Sequence, residues 1–326
     1  MISKVLKAIE PFYHLASTIK NYCYDHQILR TYDLTPAVVS IGNLSFGGTG
    51  KTPCIEFLAR ELSSAFNVAI ICRSYKSHLA DATEVDLEHP QAASYFGDEA
   101  SLLKKKLPQC RVYAGPTKYL TAQLASESQP DVILIDDGFS HRQLKRDFDL
   151  VLIDATEPQD YLREGLSSLK RCHAIIFTKT NLTVAEQVQE LKQKILHYAP
   201  QLHSSIFYAQ SKTSLDLASL APLFIFCGLA KPKSFQNSLT EIGFKVAHTE
   251  FFADHFAYGP EVEARLHNQF VSLKKNKPEL VLVTTEKDRI KLTHPELLKN
   301  LHVAEYKMIL TESDKVGLLE KIRSNL

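Results

Sequence analysis

An α/β fold built on a mostly parallel sheet with helices on both faces is the class this sequence predicts, and three observations carry the prediction. Short apolar, β-branched runs alternate along the chain with segments of helical periodicity, the pattern of strands buried on two faces. One such run, Pro36-Ala-Val-Val-Ser-Ile41, passes into a glycine-rich turn ending Gly50-Lys51-Thr52, and a helical stretch follows. A second run, Ile133-Leu-Ile, ends in the two carboxylates Asp136 and Asp137. Strand, glycine-rich turn, Gly-Lys-Thr and helix form the context of a phosphate-binding P-loop, so the class narrows to P-loop NTPase-like.

At the N-terminus, Ile2, Val5, Leu6, Ile9, Phe12, Tyr13, Ala16 and Ile19 fall at helical spacing, with Lys4, Lys7, Glu10 and Lys20 off that stripe. Pro11 divides it into two short amphipathic pieces. Periodicity favours a helix packed on the protein's own core, against an interfacial helix with its lysines toward anionic headgroups. After the P-loop, residues 54–62 read as a helix and 68–72 as a strand. Residues 100–107 read as helix and 132–135, 150–153 and 174–177 as strands. A helix over 185–198 and a strand over 205–208 complete this unit, and 211–222 is a plausible boundary. Strands over 223–227, 247–252 and 280–284, separated by helix-like segments, suggest a smaller second α/β unit, closed by a helix over 311–326. The expected organisation is an N-terminal amphipathic region at 1–30, a nucleotide-binding core at 31–211 and a smaller C-terminal domain at 212–326.

Composition bounds the function classes. The chain of 326 residues is 44% hydrophobic and 23% charged with net charge +1, ordinary for a globular protein and without a pull toward nucleic acid. Six cysteines lie scattered with no C-x-x-C pair, so reduced thiols are expected rather than a zinc site or a disulfide framework. No stretch has the length of a transmembrane helix, and no cleavable signal pattern is expected.

In the glycine-rich turn, Gly47, Gly48, Thr49 and Gly50 would bring backbone N–H groups to a triphosphate. Lys51 would reach the β- and γ-phosphates, and Thr52 would hold Mg²⁺. The generic pattern places a glycine where Ser45 stands. The strand-terminal pair Asp136 and Asp137 suits a place beside Mg²⁺, although strand-terminal Asp also forms turns; Asp154 ends the next strand likewise and ranks lower. Gly97-Asp98-Glu99 precedes a helix, and its plainer reading is an N-cap. Asp254-His255 follows an aromatic run; such a pair can orient an imidazole for proton transfer.

Seven segments in order resemble the tetraacyldisaccharide 4′-kinase family, the lipid A 4′-kinases of Gram-negative bacteria. They are the run from Ile41 to Pro53, Gly97-Asp98-Glu99, Asp136-Asp-Gly-Phe-Ser-His141, Leu162-Arg-Glu164, Gly228-Leu-Ala-Lys-Pro232, Asp254-His255 and Thr284-Thr-Glu-Lys-Asp288. That family also lacks the first glycine, so Ser45 becomes a mark of it. The resemblance implies transfer of the γ-phosphate of ATP to the 4′-hydroxyl of tetraacyldisaccharide 1-phosphate, giving lipid IVA. It implies Asp98 as catalytic base with His255 as its partner from the second domain, Lys51 on the phosphates, and Thr52, Asp136 and Asp137 at Mg²⁺. It also implies that His141 and Arg163 line the site. The chain departs from the family pattern at Ser74 and Lys76, where glycines are usual, at Ser140, where glutamine is usual, and before Leu162, where a Gly-Pro pair is usual.

A lipid with four acyl chains stays in a bilayer. The resemblance therefore turns the N-terminal stripe toward membrane contact and implies a peripheral enzyme on the cytoplasmic face of the inner membrane, with no nucleic-acid or protein partner. Two readings from other classes stay open. A GTPase would carry Asn/Thr-Lys-x-Asp after a strand, whereas Thr178-Lys179-Thr180 is followed here by Asn181. A non-catalytic membrane protein using ATP structurally would tolerate loss of Asp98.

Overall fold

The structure, a computed structural model, describes residues 17–45, 48–73, 79–157, 162–217 and 220–326. The N-terminal stripe through residue 16, Gly47, Ser74 and Lys76 lie outside these residues. Residues 17–25 are helical (α1). The first block continues with β1 (Ala37–Asn43), α2 (Lys51–Leu62), β2 (Val68–Arg73), β3 (Thr83–Glu84), α3 (Ala92–Phe96) and α4 (Asp98–Lys106). Next come β4 (Arg111–Gly115), α5 (Lys118–Ser126), β5 (Val132–Asp136), β6 (Phe148–Asp154), β7 (Ala174–Thr178), α6 (Ala185–Tyr198) and β8 (Ile206–Ser214). The second block comprises β9 (Leu223–Cys227), α7 (Pro232–Glu241), β10 (Val246–Phe251), α8 (Pro260–Asn276), β11 (Val281–Thr285), α9 (Glu286–Arg289), α10 (Pro295–Lys299), β12 (Leu301–Leu310) and α11 (Glu312–Arg323).

Among the described residues the strands form one twelve-stranded sheet in the order β10-β9-β11-β12-β8-β7-β6-β1-β5-β2-β4-β3. Within each block the pairings are parallel apart from the short edge strand β3. Alternate residues of the first-block strands feed opposite faces, as buried parallel strands require. Val39, Ile41, Ile70, Leu134 and Leu152 pack with Ile55 and Leu58 of α2, Leu103 of α4 and Leu318 of α11. Val38, Ile71, Ile133 and Ile135 pack on the other side with Ala122 and Ala125 of α5, while Val151, Ile153 and Ile175 meet α6 through Val188 and Ile195. The second block repeats the layering, with Phe224, Phe226 and Leu282 against α8 and Ile225, Cys227 and Val283 against α7.

The junction decides where a site can form. β8 pairs with β7 through residues 206–208 and then, antiparallel, with β12 through 209–214. β12 in turn pairs with β11 through 301–304 before running back along β8. The second block therefore runs against the first, and the carboxyl ends of its strands face the carboxyl ends of the first block's strands. In open α/β sheets ligands bind outside those ends; here two such edges confront one another. Residue 211, at the sequence-derived boundary, lies inside β8, and α11 returns to pack on the first block.

Candidate active site

β1 delivers the chain into the glycine-rich loop, and α2 opens directly after it. Gly50 occupies the N-cap position with φ +90°, a left-handed conformation in which any side chain is strained. No acidic residue sits in the first turn of α2, so the positive end of the helix is left for an anion. The loop is anchored from the end of β7. Thr178 Oγ1 donates to the Thr49 carbonyl at 3.0 Å, and Lys179 Nζ donates to the Gly48 carbonyl at 3.1 Å while pairing with the buried Asp154. Thr49 Oγ1 is itself buried without a hydrogen-bond partner among the described residues. Lys51 Nζ lies 3.3 Å from Asn43 Oδ1 and 3.7 Å from Asp137.

β5 carries the two carboxylates to the same place. Asp137 adopts φ +53°, uncommon for a residue with a side chain. Arg163 grips both of its oxygens at 2.9 Å each and also donates to the Ser45 carbonyl at 3.2 Å and to Asn43. Leu162 makes an antiparallel bridge with Ser45, which seats Arg163 although the Gly-Pro pair is missing from the sequence before it. Burial alone would raise the Asp137 carboxyl; the Arg163 hydrogen bonds and the Lys51 charge outweigh it and hold the group well below the carboxylate range. Asp136 goes the other way, pushed up by burial and then by the Glu99 charge. Its Oδ1 is buried with no hydrogen-bond partner among the described residues. An orphaned carboxylate oxygen suits a hard cation, and Asp136, Asp137 and Thr52 have the oxygen donors Mg²⁺ takes. Both Asp137 oxygens are already engaged by Arg163, so Asp136 is the readier of the two.

Lys118 belongs to this cluster and escapes the sequence reading. Its buried ammonium donates to the main-chain carbonyls of Asp136 and Asp137, and burial lowers its pKa. One signal does exist: Lys118 is the first residue of α5, where the helix dipole disfavours a cation. His141 lies on the same loop and is pushed down to about 3 by burial, then by the Lys118 and Lys20 charges, which keeps the ring neutral. Helix α1 docks here as well, with Lys20 Nζ donating to the Ser140 carbonyl at 2.8 Å and Asn21 to the buried Glu164 at 3.1 Å.

Across the cleft stands the Asp98–His255 pair. Gly97, not Asp98, takes the N-cap position of α4, and Asp98 is the first helical residue. This leaves its carboxylate free of the capping role: Oδ1 accepts the Glu99 N–H at 2.9 Å, and Oδ2 lies 2.9 Å from His255 Nδ1. His255 holds φ +58° at the end of the second block's β10 segment, with Asp254 3.9 Å from its Nε2. Burial would raise Asp98, but the His255 hydrogen bond and the Lys287 charge carry it from 3.8 down to about 2. The sign follows: a depressed carboxyl contributes stability above its unfolded pKa and loses it as pH falls from about 4 toward 2, here about 2 kcal/mol. Urea midpoints measured between pH 5 and 2.5 should therefore fall more steeply in the native protein than in His255→Ala; parallel curves would exclude the coupling.

Strained backbone at Asp137, His255 and Lys179 (φ +59°) sits at strand carboxyl ends around one cleft. Each costs of order 1–3 kcal/mol, against about 1.5–3 kcal/mol from every fully buried Leu, Ile or Phe in the layers below. The structure thus gathers Lys51, Asp136, Asp137 and Arg163 into one cluster and joins Asp98 to His255. The Glu99 charge acting on Asp136 links the two groups. Among the described residues no helix is long and apolar enough to cross a membrane.

Known proteins match this arrangement along its length. A tetraacyldisaccharide 4′-kinase of Bdellovibrio bacteriovorus is 34% identical over 304 residues, 88% of each chain. One from Chlorobium chlorochromatii is 32% identical, covering 89% of this chain and 84% of its own. The crystal structure of LpxK from Aquifex aeolicus, in complex with ATP, superposes with a TM-score of 0.73 at 25% identity over 100% of this chain and 99% of that one. With the family model for tetraacyldisaccharide-1-P 4′-kinase matching residues 2–325, the chain belongs to the LpxK family.

Proposed function

We propose that this protein transfers the γ-phosphate of ATP to the 4′-hydroxyl of tetraacyldisaccharide 1-phosphate, forming lipid IVA. The observation that carries the reading is the 2.9 Å contact between Asp98 and His255, a carboxylate from one block against an imidazole from the other. The loop backbone at 48–50, the α2 N-terminus and Lys51 hold the donor phosphates. Asp98, ionised at neutral pH, accepts the proton of the sugar hydroxyl as the new O–P bond forms and the bond from the γ-phosphorus to the bridging oxygen breaks, releasing ADP. His255 orients the carboxylate through Nδ1. Arg163 and His141 line the cleft on the phosphate side. Thr52 and Asp136, with Asp137, would hold Mg²⁺, which supplies charge neutralisation on the phosphates when bound.

The acceptor lives in a bilayer, so the protein works at its surface, on the cytoplasmic face of the inner membrane. Ile19 and Tyr22 of α1, each 55% exposed, and Ile28 just past it, at 66%, leave apolar side chains at the surface. Such an exposed apolar surface suits a membrane interface. Incubation with ATP, Mg²⁺ and tetraacyldisaccharide 1-phosphate should yield a product one phosphate heavier by mass spectrometry, and the same chain lacking residues 1–16 should sediment less with anionic vesicles. Absence of product from well-folded protein defeats the kinase reading. Undiminished vesicle binding by the shortened chain defeats the membrane one.

A further inference from the structure

Two of the seven sequence segments, Gly228–Pro232 and Thr284–Asp288, hold no part in phosphate or proton handling. We propose that Glu286, Lys287 and Asp288 register the Asp98 carboxylate against the His255 imidazole, which makes Lys287 and Asp288 positioning residues for phosphoryl transfer. The proposal rests on the reading of Asp98 and His255 as the proton-accepting pair.

The three residues open α9 at the carboxyl end of β11, where Thr285 accepts the Asp288 N–H at 3.2 Å and donates to Asp288 Oδ2 at 2.7 Å. Their side chains go three ways. Glu286 pairs at 2.7 Å with Lys106, the last residue of α4, and Lys106 also pairs at 2.7 Å with Glu56 of α2. Lys287 pairs at 2.7 Å with Glu99, the second residue of α4. The helix that carries Asp98 is thereby gripped at both ends from one point of the opposite block, which fixes its rotation and its slide along its axis.

Asp288 turns inward and is fully buried. Its Oδ1 accepts the Gly228 N–H and the Tyr258 hydroxyl, each at 3.1 Å, with the Lys291 ammonium at 2.9 Å. Tyr258 follows His255 by three residues and packs edge-on against Phe252 and Phe256, whose rings stack at 4.5 Å. A Cβ on Gly228 would lie 3.0 Å from the Ala253 carbonyl oxygen and 3.1 Å from Phe256 Cβ, so a side chain there would crowd the close approach of this strand end to the His255 turn. The left-handed conformation of His255 is therefore held by contacts that lead back to Asp288. Both members of the pair are referenced to one tripeptide.

Energetics favour positioning over mere stability. A partly exposed pair such as Lys287–Glu99 contributes about 0–1 kcal/mol to folding, yet a displacement of about 1 Å at the reacting groups can cost on the order of 10²-fold in rate. Lys287 also raises the local positive charge facing Asp98 and Asp254.

The test uses the full chain, comparing Lys287→Met, Lys287→Arg and Tyr258→Phe by steady-state transfer and by ¹⁵N NMR of the His255 ring. Lys287→Met should lower kcat about tenfold or more with KM for ATP nearly unchanged, and should move the His255 ring signals. Lys287→Arg should restore most of both, and Tyr258→Phe, which removes only the hydroxyl bound to Asp288, should move the His255 signals as well. Wild-type kcat with unmoved His255 signals in Lys287→Met and Tyr258→Phe overturns the proposal, as does a loss in kcat with those signals unmoved. Asp98→Asn and His255→Ala are run alongside. If they keep full activity, the proton-accepting pair itself is wrong; if they are inactive while the other variants match wild type, the registration alone fails.

Discussion

Asp98→Asn should lower kcat by about 10²–10⁴-fold, the range a positioned general base contributes, with KM for ATP close to wild type. The amide keeps the shape of the carboxylate and can still face His255 Nδ1, so the layers of α4 and the fold persist. What disappears, on the proposed mechanism, is the charge that accepts the hydroxyl proton. His255→Ala should produce a smaller loss, because it removes the proposed orienting group, 2.9 Å from the carboxylate, rather than the proposed acceptor. The double variant should be little worse than Asp98→Asn alone, since groups acting as one unit do not lose rate independently. A double variant whose losses multiply would show that the two residues serve separate steps. Wild-type turnover in Asp98→Asn would end the reading of this carboxylate as a base.

Much of the phosphate side was legible in the sequence because it is local. Strand, turn, Gly-Lys-Thr and helix are contiguous, and the runs at 132–135, 150–153, 174–177 and 223–227 are apolar throughout because they are buried on both faces. The opposing side was not local. By its local sequence Asp98 reads more plainly as a helix cap, and the imidazole that engages its carboxylate comes from a residue 157 positions away. β12 went unread for a related reason. Leu301–Leu310 mixes exposed and half-buried positions with charged side chains, since half of it pairs with β11 and half with β8, and neither half is enclosed on both faces. That strand turns the two sheet edges toward each other, so their confrontation depends on a segment with a weak strand pattern. Lys118 hides for another reason: its partners are backbone carbonyls, which leave no mark in the side-chain sequence.

Lys51→Met should cost about 10²–10³-fold in kcat, comparable with the loss of one preorganised charge donor to a transition state. The ammonium stands between Asn43 at 3.3 Å and Asp137 at 3.7 Å, while Arg163 satisfies both Asp137 oxygens independently. Removing Lys51 therefore leaves no uncompensated buried carboxylate at Asp137, and the melting temperature should stay near wild type. In the proposed reaction Lys51 acts on the leaving side of the phosphate and Asp98 on the attacking hydroxyl, and the two share no hydrogen-bond partner among the described residues. Their losses should accordingly multiply in Lys51→Met/Asp98→Asn, down to the rate of unassisted transfer, in contrast to the Asp98–His255 double variant. Measured as single turnovers on preformed enzyme–ATP complex, a double variant no slower than Lys51→Met alone would mean that the base acts only after the lysine has placed the phosphate, and the independence argued here would be lost.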